Sequence, residues 1–204
     1  MTTPNEALQE PEDHARDQAK SQLEGVRELV AALNVDYDRL EELQGDYDSL
    51  REAIDDAIRA IEDAEANVGD SNVLDACDAL RDAEFFLYNW PDREEFEDMK
   101  RDAGEFANRE EVEQRISEDP LSVLVRSDWY SPGASGEDIA PVEFEILLCT
   151  GGPAVRIRGD LNLHNEPSRA GLEYQDWGTP WTEYYEPGIS DTLVEYSRQF
   201  YFGD

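Results

Sequence analysis

Leu43, Tyr47, Leu50, Ile54, Ala57, Ile61, Ala64 and Val68 succeed one another at alternating steps of four and three, the seam of a packed helix. This makes Asp36 to Val68 the longest hydrophobic period in the chain. Upstream, from about Asp13, Ala19, Leu23, Val26, Val30 and Leu33 keep the same rhythm, and Asn34 to Asp36 form a short polar break. Two amphipathic helices joined by so short a turn predict an antiparallel hairpin, because neither buries its stripe alone. Gly45 marks a kink or a later helix start, since glycine costs about 1 kcal/mol relative to alanine inside a helix. Gly69-Asp70-Ser71-Asn72 reads as a helix stop followed by a cap. A third helix is expected from Val73 to about Tyr88, with Phe85, Phe86, Tyr88 and Trp90 anchoring the hairpin at its end. After Pro91 a further helix carries Phe96, Met99, Ala103 and Phe106, and a short helix or turn spans Glu110 to Ile116.

Past Pro120 the apolar period changes from 3.6 to 2. Leu121, Val123 and Val125 alternate with more polar positions, and the loop Ser131 to Pro141 leads to Val142, Phe144, Ile146 and Leu148 on one strand face. The turn Thr150-Gly151-Gly152-Pro153 returns a partner strand. A four-residue loop sets Ile146 opposite Ile157, Leu148 opposite Val155, and Glu145 against Arg158 on the other face. His164-Asn165-Glu166-Pro167 turns into a strand over Ala170 to Trp177 with Leu172 and Tyr174 inward. Leu193, Tyr196, Phe200 and Tyr201 give a closing helix its apolar side.

The pattern therefore predicts an α+β protein: a lead-in over 1–12, an acidic helical hairpin or bundle over 13–119, and a small antiparallel sheet domain with a C-terminal helix over 120–204.

Charge sharpens this picture. The 204 residues hold 50 acidic and 17 basic side chains, net −33. Residues 1–120 carry 36 acidic and 12 basic, net −24, and residues 121–204 carry 14 and 5, net −9. Direct binding of nucleic acid, itself a polyanion, is disfavoured, and a basic, nucleic-acid-binding protein is the natural partner. On the long helix Asp46, Asp48, Glu52, Asp55, Asp56, Glu62, Asp63 and Glu65 face only Arg51 and Arg59. Such a helix, about 50 Å long at about 1.5 Å per residue, presents an acidic rod. The plainer reading is a solvated face of an ordinary hairpin. Lysine occurs only at positions 20 and 100, a bias that a GC-rich genome or a salt-adapted host also produces.

A second candidate surface is the aromatic loop with Trp177, Trp181, Tyr184 and Tyr185, either a binding patch or a plug over the sheet. Catalytic chemistry finds no footing in the pattern. His14 and His164 are not placed by sequence near Cys77 or Cys149, and CxxC, HExxH, phosphate-loop and EF-hand spacings are absent. The expectation is a non-enzyme with no cofactor and no specific metal, holding two buried reduced thiols. No run reaches the roughly 20 apolar residues of a membrane span, and the polar N-terminus has no signal-peptide core, so a soluble, intracellular protein is expected.

The run EDPLSVLVRSDWYSPG…EFEILLCTGGPAVRIRGDL…PSRAGLEYQDWGTPWTEYY…QFYFG, about 85 residues, resembles a family of uncharacterised proteins of bacteriophages, plasmids and other bacterial mobile elements. The resemblance implies a genomic context and a compact C-terminal domain, with no activity attached. Together with the acidic rod it suggests an anti-defence inhibitor, anti-CRISPR or antirestriction, that occupies a basic nucleic-acid-binding surface by charge mimicry. Carboxylates four residues apart stand about 6 Å apart along a helix, comparable to phosphates along a strand. The alternative is a structural or adaptor module whose hairpin mediates assembly and whose acidity solubilises it or adapts it to salt. A homodimer is compatible with either.

Overall fold

The computed structural model describes residues 13–66, 77–78, 80–82, 85–133 and 139–203. Helices come first: α1 (His14–Leu33), α2 (Tyr37–Ala66), α3 (Arg93–Ala103) and α4 (Arg109–Glu118). Strands β1 (Ser122–Ser127), β2 (Pro141–Cys149), β3 (Ala154–Leu161), β4 (Pro167–Gln175) and β5 (Thr182–Tyr184) follow, and α5 (Ile189–Ser197) closes the chain. The fold is α+β, and the change of period at Pro120 is where helix gives way to strand. Described residues 77–78, 80–82 and 85–88 are helical as well. The lead-in over 1–12, the expected stop at Gly69–Asn72 and much of the expected third helix lie outside the described residues.

Packing divides the chain differently from the period. One compact unit takes the chain through Val30 together with Glu110–Asp204, and the other is Ala31–Arg109. The expected boundary at 119/120 thus separates types of secondary structure, whereas most of α1 and α4 share a unit with the sheet.

In that first unit the five strands form an antiparallel meander in the order β1-β2-β3-β4-β5. Phe144, Ile146 and Leu148 of β2, Val155 and Ile157 of β3, and Ala170 and Leu172 of β4 are buried, every second residue as the pleat requires. Leu193 and Tyr196 of α5, which packs on β4, are fully covered. Buried Ala15, Ala19, Leu23 and Val26 come from α1, and Val112 and Ile116 from α4. Asp13 caps α1, its Oδ1 accepting the Arg16 N–H at 3.1 Å. Gln18 of α1 donates to Cys149 Sγ at 3.9 Å, and Arg27 forms an ion pair with Glu186.

Ile146 pairs with Ile157 and Glu145 with Arg158, as the turn length predicts. One step later a bulge intervenes: Leu147 pairs with Arg156 but Cys149 with Val155, so Leu148 is the extra residue and does not oppose Val155. The ion pairs also run diagonally, Arg156 with Glu145 at 2.7 Å and Arg158 with Glu143 at 2.6 Å, because long side chains reach past the directly opposed position. Leu121, Leu124 and Val125 are more than half exposed. β1 is an edge strand, three positions from the strand on which α5 packs, so its alternation buries little. Strand β4 starts earlier than expected, at Pro167, and Tyr184, expected in a loop, lies on β5. Helix α5 ends at Ser197, so the helical period does not extend to Tyr201, which is exposed. Phe202 is buried instead, its ring 4.8 Å from that of Phe144.

In the second unit, α2 runs through Gly45 without a break. Asp36 caps it, accepting the Arg39 N–H at 3.1 Å. Leu43 and Phe96 are buried, and Tyr47, Trp90 and Phe96 form a ring cluster with centroids 5.4 to 6.2 Å apart. Arg39 of α2 reaches Glu95 on α3 at 3.3 Å and Asp92, just before it, at 3.7 Å. Of the expected aromatic anchor only Trp90 packs this way; Phe85, Phe86 and Tyr88 are exposed. Gly104, at φ 60, ends α3 by returning its N–H to Lys100 and Arg101 carbonyls.

Candidate functional site

The uninterrupted course of α2 decides how its carboxylates are arrayed. At about 100° per residue, Leu43, Tyr47, Leu50, Ile54, Ala57 and Ile61 fall within an arc of about 80°. Leu43 and Ala57 are buried and the other four are half-buried. Asp48, Glu52, Asp55, Asp56 and Glu62 occupy a separate arc of about 120°, and all five are exposed. Asp46, also exposed, falls outside that arc and borders the seam. The side chains of Asp63 and Glu65 lie outside the described part of the structure.

Two further exposed carboxylates, Asp38 and Glu41, belong to the same arc and extend the stripe to about 36 Å, from Asp38 to Glu62. Their period was readable in the sequence, but the suspected break at Gly45 concealed that they continue one face. Asp48 accepts from the Gln44 amide at 2.9 Å and Asp56 from Arg59 at 2.9 Å. Glu52, Asp55 and Glu62 have no partner among the described residues. Arg59 is the one cation within the arc, so the stripe keeps a strong negative field, screened over about 8 Å at physiological ionic strength.

The four aromatic candidates do not form one patch. Trp177 and Tyr185 are 76% and 79% exposed. Trp181 instead lies on the sheet, with the Arg156 guanidinium 4.0 Å from its ring centroid. Tyr184 is buried on β5 and directs its hydroxyl to Glu186 at 3.5 Å. They separate because β5 is a strand, whose successive side chains point to opposite sides. Beneath Trp181, Arg156 bridges Glu145 and Glu173, and Glu143 holds Arg126 and Arg158. Four of the five cations of residues 121–204 thus line one polar sheet face: Arg126, Arg156, Arg158 and Arg169.

The thiols differ from expectation. Cys77 is exposed and Cys149 only partly buried, both free. Burial pushes the Cys149 thiol up from its ordinary value, which disfavours the thiolate. Among the described residues no group of three or more His, Cys, Asp or Glu could hold a metal ion, and no helix is long and apolar enough to cross a membrane. Comparison of the chain with family models, curated proteins and solved structures gives no significant match.

Proposed function

We propose that the protein is a non-enzymatic anti-defence inhibitor, an acidic mimic of nucleic acid that blocks a basic nucleic-acid-binding surface of a host complex in a prokaryotic cytoplasm. The observation that carries this reading is the exposed α2 stripe, seven carboxylates from Asp38 to Glu62 with Arg59 as the one cation among them. A basic groove that follows a phosphate backbone meets in it a rigid row of charge whose spacing the helix sets. Rigidity supports the reading, because a preordered row avoids the ordering cost that a disordered acidic tail would incur on binding. The resemblance of the C-terminal run to mobile-element proteins supports the setting.

The test is capture from a lysate holding CRISPR and restriction complexes, followed by competition with the captured partner's own DNA or RNA. Glu52→Gln, Asp55→Asn, Asp56→Asn and Glu62→Gln together keep the helix and remove four charges. That variant should lose competition, and wild-type binding should fall steeply as salt rises. A neutralised stripe that competes at wild-type strength, while Trp177→Ala or Trp181→Ala fails, overturns the proposal. The adaptor reading is favoured by one different observation, the exposed Phe85, Phe86 and Tyr88, which together present apolar rings to solvent.

A further inference from the structure

A hollow of about 770 Å³ in the second unit is walled by Tyr47, Trp90 and Phe96 and bordered by Arg51 and Lys100. We propose that it binds an aromatic anion, a flat ring bearing a phosphate or a carboxylate. The volume is that of a small-molecule site. Three rings from three segments are already locked together: Tyr47 stacks on Phe96 with centroids 5.4 Å apart, and Trp90 tilts against both at 6.2 and 5.4 Å. A flat ligand ring gains from such a wall through offset or edge packing with little reorganisation.

Charge selects the rest of the ligand. In this unit Arg39, Arg59, Arg81, Arg93 and Arg101 each hold a carboxylate within ion-pair distance. Arg51 and Lys100 hold none among the described residues, in a chain where acidic groups outnumber basic ones 50 to 17, and both border the hollow. Each stands one helical turn beyond a ring of the wall, Arg51 four residues after Tyr47 and Lys100 four residues after Phe96, which puts cation and ring on one helix face. The Lys100 ammonium lies 5.2 Å from the Phe96 ring centroid. The carboxylates of the lining are engaged: Glu97 accepts from Arg93 at 2.8 Å and Asp48 from Gln44 at 2.9 Å. A cationic ligand would find Glu97 neutralised by Arg93 and the charges of Arg51 and Lys100 against it, with Asp48 alone in its favour. An anion finds those charges open beside a surface for its ring.

The site shares no carboxylate of the proposed mimicry beyond Asp48, and it stands or falls separately from that reading. Two sources carry the chemistry, a nucleotide and an aryl carboxylate. Titration calorimetry of the full chain with adenosine 5′-monophosphate and with indole-3-acetate separates them, with adenosine and inorganic phosphate as the halves of the first and indole and acetate as the halves of the second. One of the two aromatic anions should bind saturably and at least about tenfold more tightly than either of its halves. Arg51→Gln with Lys100→Gln, two solvent-reaching side chains whose loss leaves the ring cluster intact, should abolish that advantage without changing the thermal transition by much. Trp90→Ala should weaken binding too, and Trp90→Phe restores it if the alanine variant does not fold. Asp38→Asn with Glu62→Gln, at the two ends of the stripe and each more than about 15 Å along the helix from Arg51, should leave the affinity unchanged. Failure of both anions to saturate, equal binding of the saturating anion and its uncharged ring half, or indifference to the double cation variant each overturns the assignment.

Discussion

Tyr196, fully buried on α5, donates its hydroxyl hydrogen to Asp119 Oδ2 at 2.8 Å, 77 positions earlier in the chain. The bond ties the closing helix to the residue at which the helical region ends. Asp119 also accepts from Arg115 at 3.0 Å, so its charge is compensated on a second side. Burial, and then the neighbouring Asp119 carboxylate, push ionisation of the Tyr196 phenol far above its ordinary value.

Replacing Tyr196 by Phe should cost about 1–3 kcal/mol at neutral pH, the range for a buried hydrogen bond to a charged acceptor. The sign of its pH dependence follows from the raised value. The contribution is complete below the unfolded-state value of about 10 and is lost as pH rises beyond it. Urea unfolding of wild type and Tyr196→Phe should therefore show a gap at pH about 7.5 that narrows by pH about 11. A gap that widens with pH would contradict a tyrosine held neutral.

Gly159, on the covered face of β3, has no room for a side chain. An added Cβ would stand 2.0 Å from the Arg169 carbonyl oxygen and 2.6 Å from the Phe144 ring. Gly159→Ala should destabilise by about 1–3 kcal/mol or more, because both neighbours are fixed. Gly171→Ala provides the comparison on the open face, where the nearest atom is Glu183 Oε1 at 3.9 Å, and it should be close to neutral. Thermal denaturation of the two variants checks the order.

Three changes on β2 and β3 test how the sheet divides its faces. Ile146→Ala opens a cavity in the core and should cost about 2–5 kcal/mol. Glu145→Ala removes one member of a partly exposed pair and should cost less than about 1 kcal/mol. Arg156→Ala should fall between them, since it leaves Glu145 and Glu173 uncompensated and withdraws the guanidinium from Trp181. Equal costs for the three in denaturant titrations would mean that the polar face contributes as much as the core.

The sequence alone determined helices α1 to α5, strands β1 to β4 and the hand-over at Pro120, because each of these repeats its apolar positions at its own period, whereas the three residues of β5 are too few to show one. It determined the pairing of Ile146 with Ile157 as well, since one short turn allows one register that serves both faces. It could not determine the Leu148 bulge or the exposure of β1. Those depend on where the covering helix lies and on how the strands twist, which no local pattern encodes. The same holds for the sites. The acidic stripe was legible because a helix converts spacing into a face, whereas its extension to Asp38 and Glu41 waited on proof that Gly45 does not interrupt the helix. The aromatic loop was not legible, since β5 sends Tyr184 into the core while Trp181 settles on Arg156. Only the tertiary structure brought Tyr47, Trp90 and Phe96 together beside Arg51 and Lys100, because the three rings reach one hollow from separate segments of the chain.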